Sequence, residues 1–108
     1  DASINAIAAA VRDAMNSDNR PDGILCASGS AAIGAVAGAE EAGMEIGTDF
    51  HVIAKQSSDI LTRFRPHIKV VFEDFRTAGY RLADFLLRRI EGEDPGTLQR
   101  LVRDDRRL

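Results

Sequence analysis

Apolar residues recur along the chain with two different spacings, which predict an alternation of helices and strands. Spacings of three and four residues are typical of one face of a helix, whereas short unbroken apolar runs are typical of strands buried in a parallel sheet. The predicted helices cover residues 1–17, 31–42 and 75–90, and the predicted strands cover residues 23–27, 50–54, 68–72 and 97–102. This order predicts an α/β fold in which a mostly parallel sheet, its strands buried on both faces, is flanked by helices.

Polar and small residues indicate where the helices begin and how they pack. Ser30 is the predicted N-cap of the second helix, and Asp74 is the predicted N-cap of the last one. The second helix is unusually thin, because Gly34, Gly38 and several alanines make up most of its surface. Small side chains allow another backbone to approach closely. One helical turn is predicted in the link at residues 59–63.

Composition limits the function classes. The chain has 108 residues and a net charge of −3, which excludes a basic nucleic-acid footprint spread over the whole chain. No apolar run approaches the about 20 residues of a membrane span. The first residues carry no basic leader and do not form a signal peptide as they stand. The single cysteine, Cys26, excludes an internal disulfide and favours a cytoplasmic location.

Residues for catalysis or metal binding are scarce. His51 and His67 are the only histidines, and neither has the spacing of a metal ligand relative to a second histidine or a cysteine. Cys26 lies in a predicted strand and is interpreted as a small core residue rather than a nucleophile. Glu73 and Asp74 are adjacent, so their side chains diverge and do not share one task. We therefore predict no catalytic residues, no metal site and no cofactor, and the protein is not expected to be an enzyme.

Polar residues follow the predicted strands. The carboxyl ends of parallel strands lie at one edge of a sheet, where ligands of open α/β folds bind. The loops that follow such strands are also polar for the simple reason that they face solvent. Both interpretations stay open for the residues Ser28, Gly29, Lys55, Gln56, Ser57 and Glu73.

Two stretches resemble the LacI-type transcriptional regulators. These are RPDGILCASGSAAIGAVAGAEEAGMEIGTDFHVIA at residues 20–54 and PHIKVVFEDFRTAGYRLADFLLRRIEGEDP at residues 66–95. The resemblance implies a periplasmic-binding-protein-like type I fold, of which residues 1–108 form the C-terminal part of the effector-binding and dimerisation domain. It also implies two lobes that hold a small molecule between them. DNA is bound in this family by a helix-turn-helix headpiece that this chain does not contain.

The resemblance also implies the ligand-binding residues Ser28, Gly29, Lys55, Gln56, Ser57, Glu73 and Phe75. Ser28 and Gly29 stand where the family commonly has Asn and Asp. Gln56 and Ser57 stand where two aspartates are common, and Glu73 replaces the usual glutamine at the crossover between lobes. A neutral amide with a nearby lysine in place of a carboxylate leads to the hypothesis that the effector is more anionic than a plain sugar.

Two further expectations concern contacts between chains and lobes. The helix after Ser28 forms part of the dimer interface in this family, which implies interface residues Ala32, Ile33, Val36 and Ala37. Packing of the same helix against its own sheet is the alternative, and we expect a share in both. The helix over residues 75–91 is expected to belong to the other lobe, most of which this chain lacks. Its apolar stripe would then be exposed, and we expect the fragment to self-associate.

The predicted function is therefore an effector-sensing and dimerisation module of a cytoplasmic LacI-type repressor. It would bind a sugar or a related metabolite, form a homodimer or a higher homo-oligomer, and not contact a membrane. The alternative is a solute-binding protein of an ABC transporter, which shares this fold. An enzyme of flavodoxin-like or Rossmann shape has the least support, because no cofactor fingerprint or nucleophile–base pair is present.

Overall fold

The computed structural model describes residues 3–103, which divide after Phe72 into two compact units. The helices and strands are α1 (Ile4–Met15), β1 (Gly23–Cys26), α2 (Gly29–Glu41), β2 (His51–Gln56), α3 (Ile60–Phe64), β3 (Lys69–Phe72) and α4 (Phe75–Ile90). A short 3₁₀ turn over Pro95–Thr97 follows. The first unit contains the strands and the first three helices, and the second unit contains α4 and the 3₁₀ turn.

The strands form one parallel sheet in the order β1-β2-β3. Cys26 of β1 is level with Ala54 of β2, and Gln56 at the end of β2 is level with Phe72 at the end of β3. β2 is therefore the central strand, and the C-terminal ends of its neighbours lie on the same side. The predicted α/β fold with a parallel sheet is confirmed.

Helices α1 and α2 pack closely, because α2 has glycines where they meet. A Cβ built on Gly34 would lie 2.7 Å from the carbonyl oxygen of Ile4, and one built on Gly38 would lie 3.0 Å from the backbone nitrogen of Arg12. The small residues predicted to let another backbone approach α2 are therefore in contact with the backbone of α1, in the same chain. The largest fully buried side chains of the first unit are Phe50, Leu61, Ile68, Val36 and Val52.

Three of the sequence expectations about the elements are wrong. The cap of α2 is Ser28, whose Oγ accepts a hydrogen bond from the backbone N–H of Ala31 at 3.2 Å, so the helix begins earlier than predicted at Ser30. β1 is not buried on both faces, since Leu25 is 73% exposed at the edge of the sheet. The final strand over residues 97–102 does not form among the described residues.

A 3₁₀ turn over Pro95–Thr97 includes the first residue of that predicted strand. Asp94 precedes Pro95, and its Oδ1 accepts a hydrogen bond from the N–H of Gly96 at 2.9 Å. The N–H of Thr97 also donates to the carbonyl oxygen of Asp94 at 3.0 Å, and these local hydrogen bonds favour a turn. Of the first predicted helix, residues 1 and 2 lie outside the described residues.

Helix α4 has the bounds that its sequence predicts. Asp74 caps it, with Oδ1 accepting from the N–H of Thr77 at 2.9 Å and Oδ2 accepting from the Thr77 hydroxyl at 2.8 Å. These hydrogen bonds lower the pKa of the Asp74 carboxyl. No residue of α4 is buried, and its exposed apolar side chains include Phe75, Leu82, Leu86 and Ile90. Assignment of this helix to another lobe stays a prediction.

An ion pair joins the end of α2 to the loop after α3. The Arg65 guanidinium donates from Nε to Oε1 of Glu40 at 2.8 Å and from Nη2 to Oε2 at 3.1 Å. It also lies 4.2 Å over the ring of Phe64. The hydrogen bonds from Arg65 lower the pKa of the Glu40 carboxyl. Because both side chains are more than a third exposed, solvent screening keeps the net stabilisation small.

We expect Glu40→Gln to reduce the free energy of unfolding at pH 7 by less than about 1 kcal/mol. A carboxyl whose pKa is lower in the folded state contributes its stabilisation above the ordinary Glu pKa and loses it as the pH falls through the lowered one. The difference between wild type and Glu40→Gln should therefore disappear below about pH 4. Urea unfolding of both proteins at pH 7, 5 and 3 measures this difference in the free energy of unfolding. Glu45→Gln is the control, because Glu45 has no ion pair among residues 3–103. A difference that persists at pH 3 would contradict the expectation.

Candidate functional site

The C-terminal edge of the sheet in the first unit brings several of the predicted ligand residues together. Ser28 and Gln56 each lie two residues beyond the paired residues Cys26 and Ala54 of two neighbouring strands. Gly29 opens α2 directly after Ser28, and Ser57 follows directly after β2. Lys55 lies one residue earlier on β2, where it is exposed. The sequence therefore predicted a group of residues that the fold places at one edge.

The N-terminus of α2 offers hydrogen-bond donors to this edge. Ser28 satisfies two of the helix N–H groups, through Oγ to Ala31 and through its carbonyl oxygen to Ala32 at 3.1 Å. The backbone N–H groups of Gly29 and Ser30 have no acceptor among residues 3–103. The first N–H groups of a helix lack intrahelical partners and carry the positive end of its dipole. Polar groups with acceptor oxygens are stabilised at such a position.

Gln56 has a structural contact that its sequence position does not reveal. Gln56 is 8% exposed, and among residues 3–103 it is the one polar residue that is buried. Its Oε1 accepts a hydrogen bond from the backbone N–H of Leu61 at 3.2 Å, at the start of α3. Leu61 is itself buried, and its Cδ1 lies 4.0 Å from the point where a Cβ on Gly29 would stand. A hydrogen bond therefore joins Gln56 to buried Leu61, and the Leu61 side chain extends toward Gly29.

Glu73 and Phe75 belong to the second unit and are described within it. The carbonyl oxygen of Glu73 accepts a hydrogen bond from the N–H of Phe75 at 3.0 Å, just before α4 begins. The ring of Phe75 is exposed within its unit. A role for these two residues in ligand binding stays a prediction.

The predicted interface residues on α2 differ in how accessible they are. Ala32 and Val36 are buried in the core of the first unit. Ile33 is exposed, and Ala37 is half-buried. Contact of α2 with its own chain thus accounts for the first two residues, whereas Ile33 and Ala37 keep surface that a second chain could cover. The interface stays a prediction for this second pair.

The residues with reactive side chains lie apart from the edge or are inert. Cys26 is buried in the core, and burial raises the pKa of its thiol, so the thiolate is disfavoured. His51 and His67 are both exposed. No group of three or more His, Cys, Asp or Glu side chains within residues 3–103 has the geometry to hold a metal ion. Over the same residues, no helix has both the length and the apolar character needed to cross a membrane.

Comparison with known proteins identifies the family. The sequence pattern of the periplasmic binding protein-like domain matches residues 1–105 of the chain. The chain belongs to this domain family. The predicted periplasmic-binding-protein-like fold is thereby confirmed.

A solved structure resembles the chain. It is a regulatory protein of the LacI family from Chloroflexus aggregans, with a TM-score of 0.78 and 26% sequence identity. The match covers 88% of this chain and 34% of that protein, so the chain spans about a third of its relative's length. The resemblance to LacI-type regulators stated from the sequence is confirmed. No curated protein matches the chain.

The site residues predicted from the sequence of this periplasmic binding protein-like domain did not include Leu61, which holds Gln56. They also did not include the N–H groups at the start of α2. No spacing rule connects a strand-end glutamine to a backbone N–H five residues later. The N–H donors of Gly29 and Ser30 could have been found, because two serines flank the glycine at the start of the helix and either can cap it. Which serine caps decides which N–H groups remain available to a ligand.

Proposed function

We propose that this chain is the effector-sensing and dimerisation module of a LacI-type transcriptional repressor. The observation that carries the proposal is the structural match to a LacI-family regulatory protein over 88% of the chain. In this proposal a small molecule, a sugar or related metabolite, binds between two lobes. Binding shifts the equilibrium between the conformations of the lobes, and this shift controls operator binding. DNA would be contacted only through a headpiece outside this chain, in the cytoplasm.

The proposed effector contacts at the edge of the first unit are Ser28, Gly29, Lys55, Gln56 and Ser57. Glu73 and Phe75 are proposed to contribute from the second unit. At this edge, the N–H groups of Gly29 and Ser30 have no acceptor within the described part of the chain, and Lys55 lies on the adjacent strand. Positions 56 and 57 carry no carboxylate. This pattern supports an effector that is more anionic than a plain sugar.

The proposed dimer uses the exposed part of α2. Ile33 and Ala37 are offset by four residues, so they lie on one helix face, and they keep exposed surface in this chain. The buried neighbours Ala32 and Val36 hold that face in place from beneath. The exposed apolar side chains of α4 are a second reason to expect association of chains.

A solute-binding protein of a transporter is the second candidate. The domain family that matches the chain is described by its likeness to periplasmic binding proteins, which favours such a role as much as it favours regulation. The two candidates differ in oligomeric state and in DNA binding.

The test uses the full-length gene product. Its thermal unfolding is measured with a panel of neutral sugars, sugar acids, sugar phosphates and purines, and its mass is measured by sedimentation. We expect a dimer that is stabilised by at least one compound of the panel and that releases a DNA fragment from its own promoter when the compound is added. A monomer that binds a panel compound and no DNA would favour the transporter candidate. No stabilisation by any compound would contradict effector binding.

A further inference from the structure

The backbone of Met44 is held in a turn at the C-terminal end of α2. Gly43, with a φ of 81°, ends the helix. Its N–H donates to the carbonyl oxygen of Glu40 at 2.9 Å, and the N–H of Met44 donates to the carbonyl oxygen of Ala39 at 2.9 Å. This pair of hydrogen bonds is a Schellman motif, in which the residue after the glycine packs back against the helix. Met44 is accordingly half-buried and packs against the core.

The sulfur of Met44 has a cationic neighbour. Nη1 of Arg20 donates to Sδ of Met44 at 3.4 Å. Arg20 is exposed and lies in the loop before β1, so this contact connects that loop to the end of α2. A thioether is a weak acceptor, and no carboxylate pairs with Arg20 among residues 3–103. The guanidinium therefore keeps hydrogen-bonding capacity for a stronger acceptor.

The other methionine of the chain lies in a different environment. Met15 is 4% exposed and belongs to the core of the first unit. Oxidation converts an apolar thioether into a polar sulfoxide, which a packed core does not accommodate. An oxidant reaches Met15 only after the first unit has opened locally. Met44 instead combines partial access to solvent with a donor next to its sulfur.

We propose that Met44 is an oxidation site for peroxides and that the Arg20 guanidinium binds the resulting sulfoxide. A lone pair of Sδ attacks one peroxide oxygen, and the O–O bond breaks. The sulfur gains that oxygen and is oxidised by two electrons. With hydrogen peroxide, the leaving oxygen takes up the proton of the transferred one and departs as water.

The product is a better partner for Arg20 than the thioether is. The sulfoxide oxygen is a polar acceptor, so the guanidinium donates to it in a charge-assisted hydrogen bond. Oxidation of a packed methionine ordinarily disrupts its surroundings, whereas oxidation here keeps α2 joined to the loop before β1. This contact precedes β1, at the opposite end of the sheet from Ser28 and Gln56. The inference is therefore independent of effector binding.

The first test treats the full-length protein with hydrogen peroxide. Tandem mass spectrometry of its peptides locates each added oxygen and gives the rate of oxidation at each methionine. We expect Met44 to be oxidised at least about tenfold faster than Met15, because Met15 reacts only after local opening.

The second test asks whether Arg20 holds the sulfoxide. Arg20→Ala keeps the sulfur and removes the donor. Hydrogen exchange at the N–H of Met44 reports whether the turn that ends α2 stays closed. We expect oxidation to change this exchange by less than about twofold in wild type and to accelerate it at least about tenfold in Arg20→Ala, since hydrogen bonds to charged groups contribute that much.

Two controls accompany this comparison. Arg100→Ala, a matched change at an exposed arginine, should respond to peroxide as wild type does. The double variant Arg20→Ala with Met44→Leu has no sulfur at position 44, and peroxide should leave its exchange unchanged.

Three outcomes would overturn the inference. Equal oxidation rates at Met15 and Met44 would show that Met44 is not a preferred site. Equal opening of the turn in oxidised wild type and oxidised Arg20→Ala would show that the guanidinium does not bind the sulfoxide. A peroxide response that persists in the double variant would assign the effect to another residue.

Discussion

Gly38→Ala is expected to destabilise the first unit by about 2–3 kcal/mol, although alanine is the better helix former. An added Cβ would stand against the carbonyl oxygen of Ala8, 2.9 Å from the Ala8 carbonyl carbon and 3.0 Å from the Arg12 nitrogen. All of these are backbone atoms of α1, so no side-chain rotation can relieve the contact. Helix α1 would have to move away from α2, and the core beneath would lose its close packing.

The control for this substitution is Gly79→Ala, in the middle of α4. Nothing lies within 4 Å of the added Cβ at that position. Helix propensity alone then acts, and the substitution should stabilise the second unit by up to about 1 kcal/mol. Urea unfolding, followed by circular dichroism, measures both variants. The two expected effects have opposite signs, so equal effects at both glycines would show that the α1–α2 contact does not need a glycine.

The close contact at Gly38 also shows how far the sequence predicts this fold. The glycines and alanines of α2 indicate that a backbone approaches it, and the structure confirms this approach. The sequence does not say which backbone approaches, since a second chain and the chain's own α1 both satisfy the same composition. Only the fold shows that Ala32 and Val36 are buried within the chain and that Ile33 stays exposed.

The candidate site was predictable in its position and less so in its chemistry. Polar residues after consecutive strands identify the edge, because parallel strands end on the same side. The partner of Gln56 depends on the path of the link between β2 and β3, which the local pattern predicts only as one helical turn. The start of α2 depends on a choice between Ser28 and Ser30, two residues with nearly equal capping preference. Small free-energy differences in the tertiary structure decide such choices.

We expect Leu61→Ala to lower the free energy of unfolding by about 2–5 kcal/mol. Leu61 is 1% exposed in the core, and truncation leaves a cavity beneath the edge where Gly29 and Gln56 lie. Ile60→Ala is the matched control, because Ile60 is the preceding residue of the same helix and is 63% exposed. That control should stay within about 0.5 kcal/mol of wild type. Thermal and urea unfolding measure the stability of both variants. Equal losses would contradict the expectation that the buried Leu61 side chain stabilises the first unit.

The Leu61→Ala variant also shows whether α3 is positioned by packing of the Leu61 side chain or by the hydrogen bond between residue 61 and Gln56. Leu61→Ala keeps the backbone N–H that Gln56 accepts from, so the hydrogen bond is chemically still possible. If packing positions α3, the amide of residue 61 should exchange faster in Leu61→Ala even though its partner is intact. The orientation of the Gln56 amide would then depend on a buried side chain rather than on the hydrogen bond alone. Slow exchange with a large loss of stability would instead show that the hydrogen bond holds α3 locally while Leu61 stabilises the unit as a whole.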